Sequence, residues 1–218
     1  MDWMQAVDSY CERGGPAFWA EPVNALTNIA FLIAAAVMWP RVRQVPLGPA
    51  LAVVLALIGV GSFLFHSVAQ VWAGLADVVP IVVFILIYLW AVHRHVWNWP
   101  VRGAWAAVAL FFPYAALMVP VFGAIPGMQT AAGYAPVPLL IVVEAWLLRQ
   151  RAPGLARGMA VGAGLLSLSL LFRSLDTPLC GIWPVGTHFL WHCLNAVMLG
   201  WMIEVYRRHM LAPAPSRR

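Results

Sequence analysis

An all-α membrane protein of seven transmembrane helices, N-terminus outside and C-terminus cytoplasmic, is the fold the sequence predicts, on three observations. The 218 residues are 63% hydrophobic and only 10% charged, with a mean hydropathy of +0.83, well outside the range of soluble domains. Seven apolar runs approach the ~20 residues that cross a bilayer. All 13 basic residues are arginines, and 11 of them follow alternate runs, as positive-inside loops do.

The runs fall at Pro22–Met38, Leu47–Phe65, Leu75–Val92, Val101–Val121, Ala132–Leu148, Gly154–Phe172 and Val185–Tyr206. The fifth is the weakest, because Pro136 and Pro138 lie near its start and proline breaks a helix. Arg41, Arg43, Arg94, Arg102, Arg149, Arg151 and Arg157 follow the odd runs, and Arg207, Arg208, Arg217 and Arg218 follow the last, leaving only Arg13 and Arg173 for the other face. Trp39, Trp72, Trp97, Trp99 and Trp183 mark run ends, as interfacial aromatic belts do. The opening "MDWMQAVDSYCERGGPAFWAEP" carries acids and no basic n-region, so the first helix is expected to insert without a cleavable signal. Residues 1–218 read as one domain, with 1–21 an acidic outer segment and 209–218 a disordered tail.

Composition narrows function. The arginine clusters are explained by topology, so no nucleic-acid partner is expected. A chain without lysine cannot carry retinal as a Schiff base. Arginine in place of lysine, with abundant Ala, Gly, Trp and Pro, suggests a bacterial inner-membrane protein whose site faces the periplasm.

An ionisable group inside a span is a functional hypothesis by default. Glu144 and Glu204 lie about a turn from Arg149 and Arg208, where ion pairing explains them, and His93, His95 and His209 share those arginine-rich loops. The rest gather at the opposite face: His66 ends the second run, Asp77 opens the third, and His188 and His192 open the seventh. The i, i+4 spacing of His188 and His192 puts both rings on one helix face. A third imidazole completes a three-histidine set, which on zinc leaves a fourth position open; the alternative is a group of hydrogen-bonded core histidines. Ser62, one turn before His66, can bind a carbonyl oxygen or back-bond to its own helix.

"GSFLFHS", Asp77 eleven residues after His66, and "HFLWH" together resemble the alkaline ceramidase family, within the seven-span hydrolases that include the adiponectin receptors. "DSYCER" and "FWAEPVNALTN" are similar to that family's N-terminal elements. The resemblance implies an amidase that hydrolyses ceramide to a sphingoid base and a fatty acid. It implies zinc on His66, His188 and His192, Asp77 as base, and Ser62 as oxyanion partner. It further implies calcium held by Asp8, Glu12, Glu21 and Asn24, although "DSYCER" has one residue more between Asp8 and Glu12 than the family's commoner pattern, and Arg13 stands where further oxygen ligands are expected. A hydrolase for another acylated lipid, or a receptor-like metal-bearing protein, are the alternatives. Cys11 and Cys180 both fall on the outer, more oxidising side and form a disulfide candidate, whereas Cys193 lies within the last span.

Overall fold

The computed structural model describes residues 2–212. Eight α-helices follow one another: α1 (Pro22–Thr27), α2 (Ile29–Val42), α3 (Gly48–Val68), α4 (Val71–Ala91), α5 (Val101–Gly123), α6 (Pro136–Leu148), α7 (Pro153–Leu179) and α8 (His188–Leu211). A π-helical turn, Val92–Val96, extends α4. Among the described residues there is no strand, only one isolated antiparallel bridge between Ala6 and Gln70.

Among the described residues five helical stretches are long and apolar enough to cross a membrane: Pro22–Val42, which joins α1 and α2, then Gly48–Val68, Val71–Val96, Val101–Gly123 and Pro153–Leu179. The two remaining expected spans fall short for different reasons. The sequence places the fifth from Ala132, but α6 begins only at Pro136 and has 13 residues, because Pro136 and Pro138 fit a first turn and the chain before them runs through turns. The 24 residues of α8 give ample length, but His188, His192, Asn195, Glu204, Arg207 and Arg208 make it more polar than the other long helices.

The packing places α3 at the centre, against α2 and α4, while α8 packs on α2 and α7. Leu51, Leu55 and Ile58 of α3 and Ile203 and Tyr206 of α8 are fully buried. By contrast α5 turns Leu110 and Leu117 outward at 65% and 70% exposure, an apolar surface that suits lipid rather than water. α3 and α4 approach so closely that a Cβ on Gly61 would lie 2.0 Å from the Ala76 carbonyl oxygen. Gly61→Val is therefore expected to push the two helices apart, at about 1–3 kcal/mol for overpacking, and to lower both melting midpoint and turnover. Gly164→Ala on α7, where the added methyl meets nothing within 4 Å, should leave both unchanged.

Two corrections concern helix ends. α7 runs 27 residues, to Leu179, rather than stopping at Phe172, so Arg173 and Asp176 lie on its last turns instead of in a loop. At the other end of the bundle Glu204 pairs with Arg207 and Arg208 at 2.8 and 2.7 Å, whereas Glu144 does not take Arg149. It accepts from Trp97 Nε1 at 3.1 Å and faces His93 Nε2 at 3.4 Å, because the π turn aims His93 inward. α8 continues through His209 to Leu211; the rest of the expected tail, 213–218, lies outside the described residues.

The N-terminal segment folds back over one end of the bundle. Val7 N–H donates to Ala69 O at 2.8 Å, and Val71 N–H donates to Gln5 O at 3.1 Å, which ties the segment to the turn between α3 and α4. Cys11 and Cys180 are joined by a disulfide with Cα atoms 5.3 Å apart, linking this segment to the end of α7. A disulfide typically contributes roughly 2–4 kcal/mol. Thiol counting under denaturing, non-reducing conditions should find a single alkylatable cysteine, Cys193; three reactive thiols would remove the bridge.

Candidate metal centre

The site is built where α3, α4 and α8 meet beneath the N-terminal segment. The turn after α3 is tight: Ala69 adopts φ +48° and its N–H donates to Phe65 O at 2.8 Å, so α4 reverses at once. Ser62, one turn before His66 on α3, lines one cavity with Asp77 of α4. Across from them α8 presents His188 and His192. All three histidines are 1% exposed, and one ring nitrogen from each lies within 4.8 Å of the others. Among the described residues this is the one group of three or more metal-ligating side chains so close together.

Hydrogen bonding shows which nitrogens are free. His66 Nδ1 is 2.6 Å from Glu21 Oε2, and a carboxylate can only accept, so Nδ1 carries the proton. His192 Nδ1 is 3.0 Å from Thr27 Oγ1, and that hydroxyl donates to Val23 O at 2.8 Å, so it too accepts from the ring. Each of these rings therefore keeps its lone pair on Nε2. His66 Nε2, His192 Nε2 and His188 Nδ1 are buried without any partner. One such orphan costs about 1–3 kcal/mol, and three buried histidines that each bring a ring nitrogen within 4.8 Å of the others fit a cation, with Glu21 and Thr27 orienting the His66 and His192 rings as outer-shell groups do.

The last helix is held in place by a residue that sequence reading passed over. Asp176, 2% exposed, accepts the backbone N–H groups of Thr187 and His188 through Oδ1 at 2.7 and 2.9 Å. Its Oδ2 accepts Cys11 N–H at 3.1 Å. One carboxylate thus fixes the start of α8 and the N-terminal segment together. Gly186 leaves room for it, with φ +68° and a virtual Cβ only 2.1 Å from Asp176 Oδ1. The signal in the sequence was its position four residues before Cys180, on the same helix face.

Tyr10 and Arg173 were also missed. The Tyr10 ring stacks on His188 with centroids 3.8 Å apart; burial raises its phenol above the usual tyrosine range, against the pull of Arg173, so it is a protonated donor at neutral pH. The Arg173 guanidinium sits 5.0, 5.1 and 5.6 Å from the ring centres of Trp191, Tyr134 and Tyr10 and donates to Thr130 O at 3.0 Å. It is a cation beside the site, not merely a topology marker.

Asp77 stands at a junction. With Ser62 it lines an apolar cavity running into the bundle past Ile58, Phe84, Met198 and Met202. It also lines a polar cavity with Tyr10, Thr130, Tyr134 and Arg173. Ser62 lines the apolar cavity together with Asp77, so acid and hydroxyl face the same space.

Of the residues expected to hold calcium, Glu21 and Asn24 are buried and bonded to each other at 3.2 Å. Glu12 accepts the backbone N–H groups of Val23 and Asn24 at 2.7 and 2.8 Å. Asp8 is exposed.

A family model described as Ceramidase matches residues 9–210. The chain belongs to the ceramidase family. No individually curated protein matches it. Ceramidase-family membership implies a membrane-embedded hydrolase of lipid amides, and in this chain the buried histidine triad can hold a metal ion. The matched stretch takes in the N-terminal segment from Ser9 and every element that contributes to the site.

Proposed function

We propose that this ceramidase-family chain is a zinc-dependent intramembrane amidase that hydrolyses ceramide, or a similar lipid amide, to a long-chain amine and a fatty acid. The observation that carries the reading is the convergence of three buried histidines, each bringing a ring nitrogen within 4.8 Å of the others, with an apolar and a polar cavity that share Asp77 as a lining residue. An amphipathic lipid fits that junction, acyl chain in the bundle and head group under the N-terminal segment.

His66, His188 and His192 would hold the zinc, whose chemistry when bound is Lewis acidity and a water pKa near 7. Asp77 takes the proton of the attacking water on a carboxylate oxygen and returns it to the leaving nitrogen. The Ser62 hydroxyl, lining the same cavity as Asp77, donates to the amide oxygen as negative charge develops. The atoms balance: the C–N bond breaks, a C–O bond forms, and one water is consumed. The cavity walls of α3, α4 and α8 exclude other water from the scissile bond.

The same reading has all seven expected spans crossing the bilayer, α6 and α8 included, with the N-terminus and the site on the periplasmic side of a bacterial inner membrane. The distribution of arginines supports that orientation. Arg173 in the polar cavity favours, as a second reading, an amide whose head group carries an anion. A panel of ceramide, N-acyl amino acid and fatty ester, followed with zinc-loaded protein, separates the two: ceramide turned over fastest supports the first reading, and preference for the N-acyl amino acid supports the second.

A further inference from the structure

The Arg13 side chain, 4% exposed, is enclosed in the N-terminal segment. Its Nε pairs with Glu21 Oε1, Nη1 donates to Gly15 O at 2.9 Å and Nη2 donates to His66 O at 2.8 Å. Glu21 Oε2, in turn, takes His66 Nδ1 and Asn24 Nδ2. Both Glu12 oxygens are occupied by backbone N–H groups. Calcium takes 6–8 oxygens in a flexible shell. Of the side-chain oxygens of Glu12, Glu21 and Asn24, only Asn24 Oδ1 is buried without a partner. The acidic cluster is therefore already neutralised from within, and a divalent ion placed among these oxygens would meet the guanidinium's charge.

We propose that Arg13 is a built-in cation standing where the family resemblance implies calcium, so that this chain orders its N-terminal segment and orients His66 without calcium. The guanidinium is permanently charged, and its planar fork joins Glu21 to the backbone carbonyl of His66. It positions a metal ligand from both sides, through the main chain directly and through the Glu21 carboxylate on Nδ1. Calcium control of activity is thereby exchanged for a fixed charge.

The test does not depend on the substrate. Purified protein is stripped with EGTA, and its melting midpoint and bound radiocalcium are measured with and without millimolar calcium. No bound calcium and an unchanged midpoint are expected; one calcium per chain with a midpoint raised by several degrees overturns the proposal. Arg13→Gln removes the charge while keeping donors. In EGTA it should melt lower and retain less zinc, and calcium, but not magnesium, should restore part of both. Parental midpoint and zinc retention in calcium-free Arg13→Gln would overturn the positioning role. If that variant does not fold, the parent's calcium titration still decides the question. A protein that lacks calcium but has no amidase activity would count against the proposed function and leave this inference standing.

Discussion

His188→Ala is expected to remove bound zinc and lipid-amide hydrolysis together while the bundle stays folded. His188 is 1% exposed, its Nδ1 has no protein partner, and its ring lies 5.1 and 4.7 Å from those of His66 and His192. Removing it leaves two ligands for an ion that needs at least three. Loss of an outer-shell partner already weakens metal binding roughly 10–100-fold, so loss of a ligand should exceed that. The helical fold should survive, since Asp176 holds the start of α8 through backbone N–H groups that the substitution keeps. Zinc content and circular dichroism on the same sample check this, and a zinc-free yet fully active variant would refute it.

Asp77→Asn should behave differently. Asp77 lines one cavity with Ser62 and lies outside the cluster of converging histidines. The amide keeps the shape of the side chain but cannot act as the proton acceptor. Zinc should be retained at the parental level, and kcat should fall roughly 10²–10⁴-fold, the usual contribution of a positioned base, with KM little changed. Loss of zinc in this variant would instead make Asp77 a ligand.

The contrast between these variants follows the part of the site that was legible in the sequence. His188 and His192 share a helix face by spacing alone, Ser62 and His66 do so on α3, and alternation of the spans brings the two pairs to one end of the bundle. What sequence could not show is how the N-terminal segment folds back. Glu21 reads as a calcium ligand, yet it binds Arg13 and orients His66 across 45 residues of sequence. Thr27 reaches His192, and Asp176 reaches Cys11, each across 165 residues. Such contacts depend on tertiary closure, which local periodicity does not encode. Helix ends failed for similar reasons: α7 continues past Phe172 because Asp176 and Arg173 find buried partners there, while α6 starts late because its prolines suit only a first turn.

Product analysis in ¹⁸O-enriched water most directly tests the claim that this centre hydrolyses a lipid amide. Zinc-loaded protein incubated with ceramide in mixed micelles should release long-chain amine and fatty acid in equal amounts, with one ¹⁸O atom in the new carboxyl group and none gained by the amine. A zinc chelator should stop the reaction, and added zinc should restore it. Intact ceramide after prolonged incubation with fully zinc-loaded protein, or turnover that persists after the metal has been stripped, would contradict the account.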